Sequence, residues 1–328
     1  MEAFGHLMRL AGILAIALAV GACGQDGGAS SAPPMAPSNP ADFPAADRKT
    51  LAELRSDLPA GGPVLAPSVS VLAPGRNRFG FGLFDRSRRQ IADAPAALYV
   101  APTGGGEAKG PFPVDYESLA VKPQFQSQGT AADPDSAESV YVAELPFEKP
   151  GEYEILGMVS LDGRLVASDN AAGPVEVTDD AKVPEVGDPA PKISTPTEAS
   201  VGGAVEEIDT RVPPSTMHDE DFADVVGERP VMLLFATPAL CQSRVCGPVV
   251  DVAEEVKASH EGDAEFIHME IYNDNELEQG FRPQVRDFGL PTEPWAFAID
   301  SDGKVAARLE GAFSARELED ALSAATSG

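Results

Sequence analysis

The chain has 328 residues, with 24 Lys and Arg against 52 Asp and Glu and a formal net charge of −28. That length allows two domains with cores of their own. A surface so negative repels phosphate backbones, which excludes nucleic acid as a partner. Of the three cysteines, Cys23 stands apart, whereas Cys241 and Cys246 lie close together near the far end.

Residues 1–22 read as an export signal: Arg9 is a thin positive start, Leu10 to Ala19 an apolar run, and Val20-Gly21-Ala22 the small residues before a cleavage point. With Cys23 following, the stretch resembles a bacterial lipobox, which implies lipidation of Cys23 and an extracytoplasmic, membrane-anchored lipoprotein of the cell envelope. The alternative is an uncleaved membrane anchor, although the apolar run is short for a span. Either reading puts the remainder outside the cytoplasm. Residues 23–62, rich in Gly, Ser, Ala and Pro, are expected to be a flexible tether with a short helix over Asp47 to Leu58.

Residues 63–178 show short strands between turn clusters. Strands are expected at Ser68–Leu72, Arg78–Phe84, Ala97–Ala101, Ser139–Leu145, Tyr153–Ser160, Leu165–Ser168 and Val175–Val177. Pro74-Gly75, Pro150-Gly151 and Asp162-Gly163 supply turns between them. This rhythm, with Pro150-Gly151-Glu152-Tyr153 opening a late strand, resembles an immunoglobulin-like β-sandwich. No cysteine is available there for an inter-sheet disulfide, and the segment reads as a spacer or docking module.

Residues 179–220 are Pro-rich and are expected to hold a linker and the opening of the last domain, 221–328. Asp221 to Val226 suggests a short helix, and the run Pro230 to Ala236 a strand buried on both faces. Val249 to His260 has helical apolar spacing, and Ala264 to Tyr272 is the next strand. Trp295–Asp300 and Lys304–Leu309 form a hairpin across Ser301-Asp302-Gly303. Ser314 with Glu317 is a capping box opening the last helix, which buries Leu318 and Leu322.

This element order, together with Val186-Gly187-Asp188-Pro189-Ala190-Pro191, Phe235-Ala236-Thr237 ahead of Cys241, and Glu293-Pro294-Trp295, resembles membrane-anchored, extracytoplasmic thioredoxin-like proteins over about residues 185–326. The resemblance implies an α/β thioredoxin-like domain and a redox pair facing a cis-proline that holds the substrate chain. Pro291 and Pro294 compete for that place. Gly289-Leu290-Pro291-Thr292 fits the local letters better, but the six residues from Pro294 to Asp300 fit the strand length, so Pro294 is chosen.

The family carries Cys-x-x-Cys, whereas this chain has Cys241-Gln242-Ser243-Arg244-Val245-Cys246. In an α-helix, residues five apart are separated by about 140° around the axis and about 7.5 Å along it. A disulfide needs Cα atoms within about 7 Å. The segment must therefore be a loop, with the helix starting at Pro248, or else unwind a turn on bonding. Cys241 is the expected attacking thiol and Cys246 the resolving one, the reverse order staying open, and Arg244 could lend positive potential. Protein thiols or disulfides are then the partners, and no cofactor is implied.

Three other readings stand beside exchange. A structural disulfide in a binding protein is one. Peroxide reduction is another, since some peroxiredoxins carry Cys-x4-Cys, although Thr237 is four residues before Cys241 rather than three. Copper handling by the two thiols and a histidine, such as His268 or His218, is the last. His268 is read as a satisfied strand residue rather than a metal ligand, and Arg282 and Arg286 as surface charges.

Overall fold

A computed structural model describes residues 38–59 and 61–327; the expected signal segment and Cys23 lie outside them. The first region is all-β. Helix α1 (Leu51–Ser56) precedes strands β1 (Val64–Pro67), β2 (Gly75–Phe84), β3 (Ala96–Pro102) and β4 (Lys109–Ser118). Helix α2 (Gln128–Ala132) follows, then β5 (Ser139–Phe147), β6 (Gly151–Leu161), β7 (Arg164–Asn170) and β8 (Val175–Val177).

The sheet order is β3-β4-β5-β2-β1-β7-β6-β8, and β3 also pairs with β6, from Ala96 against Val159 to Pro102 against Tyr153. That pairing joins the two ends of the sheet into a barrel-like ring, with β8 added alongside β6. The two-sheet immunoglobulin-like sandwich is thus corrected. Alternation along each strand is the same in both architectures, so it could not reveal that β3 meets β6. Strand β4 was missed because Pro111 and Pro113 interrupt its sequence pattern. Ser68–Leu72 is also corrected, since β1 lies four residues earlier and Leu72 makes only a single bridge, to Val177.

The expected tether needs a second correction, because residues 38–58 pack on the barrel. Thr50 and Glu53 form a capping box on α1, and Phe43, Leu51 and Leu54 bury against Tyr99, Leu156 and Met158. This cover explains why six consecutive residues of β3 are buried. Ala96, Leu98 and Val100 face the barrel interior, while Ala97, Tyr99 and Ala101 face the α1 segment. The Tyr99 hydroxyl donates to the Pro44 carbonyl at 2.6 Å.

The second region contains α3 (Phe222–Val225), β9 (Val231–Phe235), α4 (Cys246–Ser259), β10 (Glu265–Met269), α5 (Pro283–Asp287), β11 (Trp295–Ile299), β12 (Val305–Glu310) and α6 (Ala315–Thr326). Its sheet runs β10-β9-β11-β12, with β10 parallel to β9 and both β11 pairings antiparallel. Along the chain the order strand, helix, strand, hairpin and final helix is the one expected from the sequence. Strand β9 is apolar at every position because both faces are covered. Met232 and Leu234 meet α4 and α6, and Val231, Leu233 and Phe235 meet α3 and α5. The stretch 179–220 is more than a linker, since Val183 and Ile193 enter one of these cores and Met217 the other. The capping box of Ser314 and Glu317 opens α6 as expected.

Charged hydrogen bonds join barrel and sheet. Arg78 donates to both carboxylate oxygens of Glu317 at 2.6 and 3.0 Å. Glu310 accepts from Ser70 and from the Val71 backbone, and Glu117 accepts from Ser314 at 2.8 Å. Gly311, at φ +73°, lets the chain pass the Ser68 carbonyl, which a Cβ there would meet at 2.0 Å. Among the described residues no helix is long and apolar enough to cross a membrane.

Candidate functional site

The cysteine loop leaves β9 at Ala236, whose N–H donates to Met269. The N–H groups of Leu240 and Cys241 both donate to the Thr237 carbonyl, closing a turn that delivers Cys241. Gln242 to Val245 form a non-helical loop, and Cys241 and Cys246 are disulfide-bonded with Cα atoms 5.9 Å apart. In the bonded state a loop, not a helical turn, spans the two cysteines. Helix α4 starts at Cys246, correcting the expected start at Pro248. Pro248 is the third helical residue, and at that place its missing N–H breaks no intrahelical bond.

The two sulfurs differ in access. Cys241 is half-buried, and its Sγ lies 3.2 Å from the Ser243 hydroxyl. Cys246 is fully buried, packed among Val249, Val250 and Phe313. Of the two residues, only Cys241 retains accessible surface. Cys246 occupies the first residue of a 14-residue helix, where unpaired backbone N–H groups favour negative charge.

Arg244 does not project free positive potential at the pair. It sits at φ +60°, and its guanidinium is ion-paired to Asp133 and lies 3.8 Å from Asp135. Its carbonyl accepts from Ala137 N–H at 3.2 Å. Asp133 is held below the usual carboxylate range by the Asp135 backbone N–H, with Arg244 adding to the effect. The segment around α2, which the sequence did not signal, thus clamps one side of the loop. Gly247 allows this approach, since a Cβ there would meet Thr130 Oγ1 at 2.8 Å.

Ser127, from the same segment, donates its backbone N–H and its hydroxyl to Asp251 of α4 at 3.0 and 3.2 Å. Arg211 Nε donates to the other Asp251 oxygen at 2.9 Å.

Glu293–Pro294 is a cis peptide and Leu290–Pro291 is not. Trp295 of β11 pairs with Phe235 of β9, so Pro294 and Ala236 extend the two strands past that pair at one end of the sheet. Pro294 therefore lies at the end from which the cysteine loop departs. Pro294 is buried, whereas Pro291 is exposed.

His268 belongs to a different group. Its Nε2 donates to the Ala236 carbonyl at 3.1 Å, and its Nδ1 lies 3.2 Å from Asp209 and 3.3 Å from the Ser215 hydroxyl. Both ring nitrogens are engaged away from the cysteines, and among the described residues the close group of possible ligands that holds His268 and His218 is completed by Asp209 and contains no cysteine, so the Cys–Cys–His copper set is not assembled here. Burial lowers the His268 pKa, but the charge and hydrogen bond of Asp209 outweigh it and push it up to about 9. Burial likewise opposes ionisation of Asp209, yet His268, His218 and the Arg211 N–H hold it well below the usual carboxylate range. Sequence reading missed Asp209 because it lies 9 and 59 residues from these histidines, in an irregular segment without periodicity. Arg282 is likewise more than a surface charge: it donates to the Tyr272 carbonyl and to Asn275.

The sequence matches no protein-family model and no curated protein. Among solved structures, it is similar to one described as the thiol:disulfide interchange protein DsbE of Chlorobium tepidum. The identity is 19%, the TM-score 0.32, and the match covers 44% of this chain and 99% of that one. A likeness at that level carries no functional weight, and the reading of the site rests on its own geometry.

Proposed function

We propose that this protein is a thiol–disulfide exchange protein of the cell envelope, held to the membrane through lipidated Cys23 and acting through Cys241 and Cys246. The observation that carries the reading is the unequal access of the bonded sulfurs, one reachable and the other buried at a helix start.

A substrate thiolate attacks Cys241 Sγ. The intermolecular S–S bond forms as the Cys241–Cys246 bond breaks, and Cys246 leaves as a thiolate stabilised by the N-terminus of α4. A second substrate thiolate then attacks its partner sulfur in the mixed disulfide, expelling Cys241 as a thiolate. Two electrons pass from the substrate dithiol to the pair, and protons exchange with solvent. The reverse sequence oxidises the pair and reduces a substrate disulfide. Pro294 lines the place where the substrate chain lies against the more accessible sulfur, that of Cys241.

Single-cysteine variants test the order of events. With oxidised glutathione, the Cys246→Ser variant forms a mixed disulfide at Cys241, read by intact mass, while folded Cys241→Ser resists at Cys246. Equal labelling of both, or labelling of Cys246 alone, would overturn the assignment.

A further inference from the structure

Beneath the cysteine loop, four polar atoms from two stretches of chain, residues 209–218 and β10, converge. Asp209 Oδ2 lies 2.9 Å from His218 Nε2 and 3.2 Å from His268 Nδ1. Ser215 Oγ lies 3.3 Å from each of the same two nitrogens. The one-atom ligand sets of Asp209, His218 and His268 all fall within 4.8 Å of one another, and all three residues are buried. A tetrahedral zinc ion with bonds of about 2.0–2.1 Å requires ligand separations of about 3.3 Å. These four separations are close to that size.

The surroundings also suit a metal. A ligating histidine ordinarily donates its other ring N–H to a carbonyl or carboxylate, which fixes the tautomer and aims the free lone pair at the ion. His268 does this through Ala236, so its Nδ1, which faces Asp209 and Ser215, becomes a ligand once a bound cation displaces the proton there. The Asp209 carboxylate is itself oriented, its Oδ1 accepting from Arg211 N–H and its Oδ2 from Ser215 N–H, both at 2.7 Å. His218 differs from His268 in this respect: its Nε2 faces the group, but its Nδ1 is buried without a partner, so the group alone orients its ring.

We propose that Asp209, His218 and His268, with Ser215 at the fourth corner, form a structural site for a divalent metal, with zinc the cation that fits best. Two imidazoles, a carboxylate and a hydroxyl make a borderline nitrogen–oxygen donor set suited to Zn²⁺. Full burial makes the site structural rather than catalytic. The ion pins residues 209–218 to β10, and that stretch supports the cysteine loop: Thr210 Oγ1 accepts the Ala239 N–H at 3.0 Å, two residues before Cys241.

Metal content of the purified full chain tests this directly. About one equivalent of zinc per chain is expected, and a folded Cys241→Ser/Cys246→Ser double variant should keep it. After chelation, added Co²⁺ should give the visible absorption of tetrahedral cobalt with nitrogen and oxygen ligands, without a thiolate charge-transfer band. Added Zn²⁺ should raise the Tm of the depleted protein. His218→Gln, if folded by circular dichroism, should lose the metal; if it misfolds, the cobalt spectrum of the parent chain decides. The proposal is overturned if the depleted protein gives neither a cobalt spectrum nor a zinc-induced Tm rise, if His218→Gln folds and keeps a full equivalent, or if the double cysteine variant loses it.

Discussion

Removing the Asp251 carboxylate should destabilise the protein more than any change at an exposed charge. Asp251 and Arg211 have side chains only 1% and 6% exposed, and their ion pair spans 2.9 Å. Two guanidinium nitrogens of Arg211 keep the Pro213 and Phe125 carbonyls as acceptors after Asp251→Ala, but its charge loses its counterion. Ser127 simultaneously loses the acceptor for its backbone N–H. Breaking a buried pair from one side costs about 3–5 kcal/mol, and an orphaned buried donor adds about 1–3 kcal/mol. These overlap in one network, so about 4–6 kcal/mol is the expected total. At about 2–4 °C per kcal/mol, Tm should fall by more than about 8 °C. Thermal melts followed by circular dichroism, with urea titration alongside, measure it. Replacing both partners, as in Asp251→Leu with Arg211→Met, should recover much of the loss, because two apolar residues need no solvation. A loss below about 1 kcal/mol for Asp251→Ala would show that water reaches the pair and that the α2 segment is not fastened to α4 as described.

Other consequences can be checked in the same way. Gly311→Ala should cost roughly 2–5 kcal/mol, combining a left-handed backbone with a clash that only backbone movement relieves; a neutral urea midpoint would mean that Ser68 and Gly311 do not meet. Leu54→Ala should release residues 38–58 from the barrel at a cost of up to about 2–5 kcal/mol, seen as faster proteolytic cleavage in that stretch. A true tether would show no change, since it would be cleaved readily in both proteins.

How far the sequence reached depends on the range of the interactions involved. Strand β9, the hairpin of β11 and β12, and the capped α6 were legible because their signals are local: a continuous apolar run, an Asp-Gly turn, and Ser314 with Glu317. The choice of Pro294 over Pro291 as the cis residue followed from counting along one strand, again a local quantity. The closure of β3 on β6, the packing of α1 on Tyr99, and the meeting of Asp209, His218 and His268 depend on contacts across about 50 or more residues, save for the pairing of Asp209 with His218. Periodicity carries no record of such partners. The start of α4 at Cys246 was missed for another reason. A proline is well suited to the first helical position but is also tolerated at the third, so Pro248 marked the first turn without fixing its first residue.

The reduction potential of the Cys241–Cys246 pair tests the proposed exchange function most directly. The protein would be equilibrated in glutathione buffers, trapped with a thiol reagent and read by mass spectrometry. A value between about −120 and −270 mV, the span of catalytic pairs, is the predicted result. A value below about −300 mV would mark a structural disulfide and contradict the exchange function.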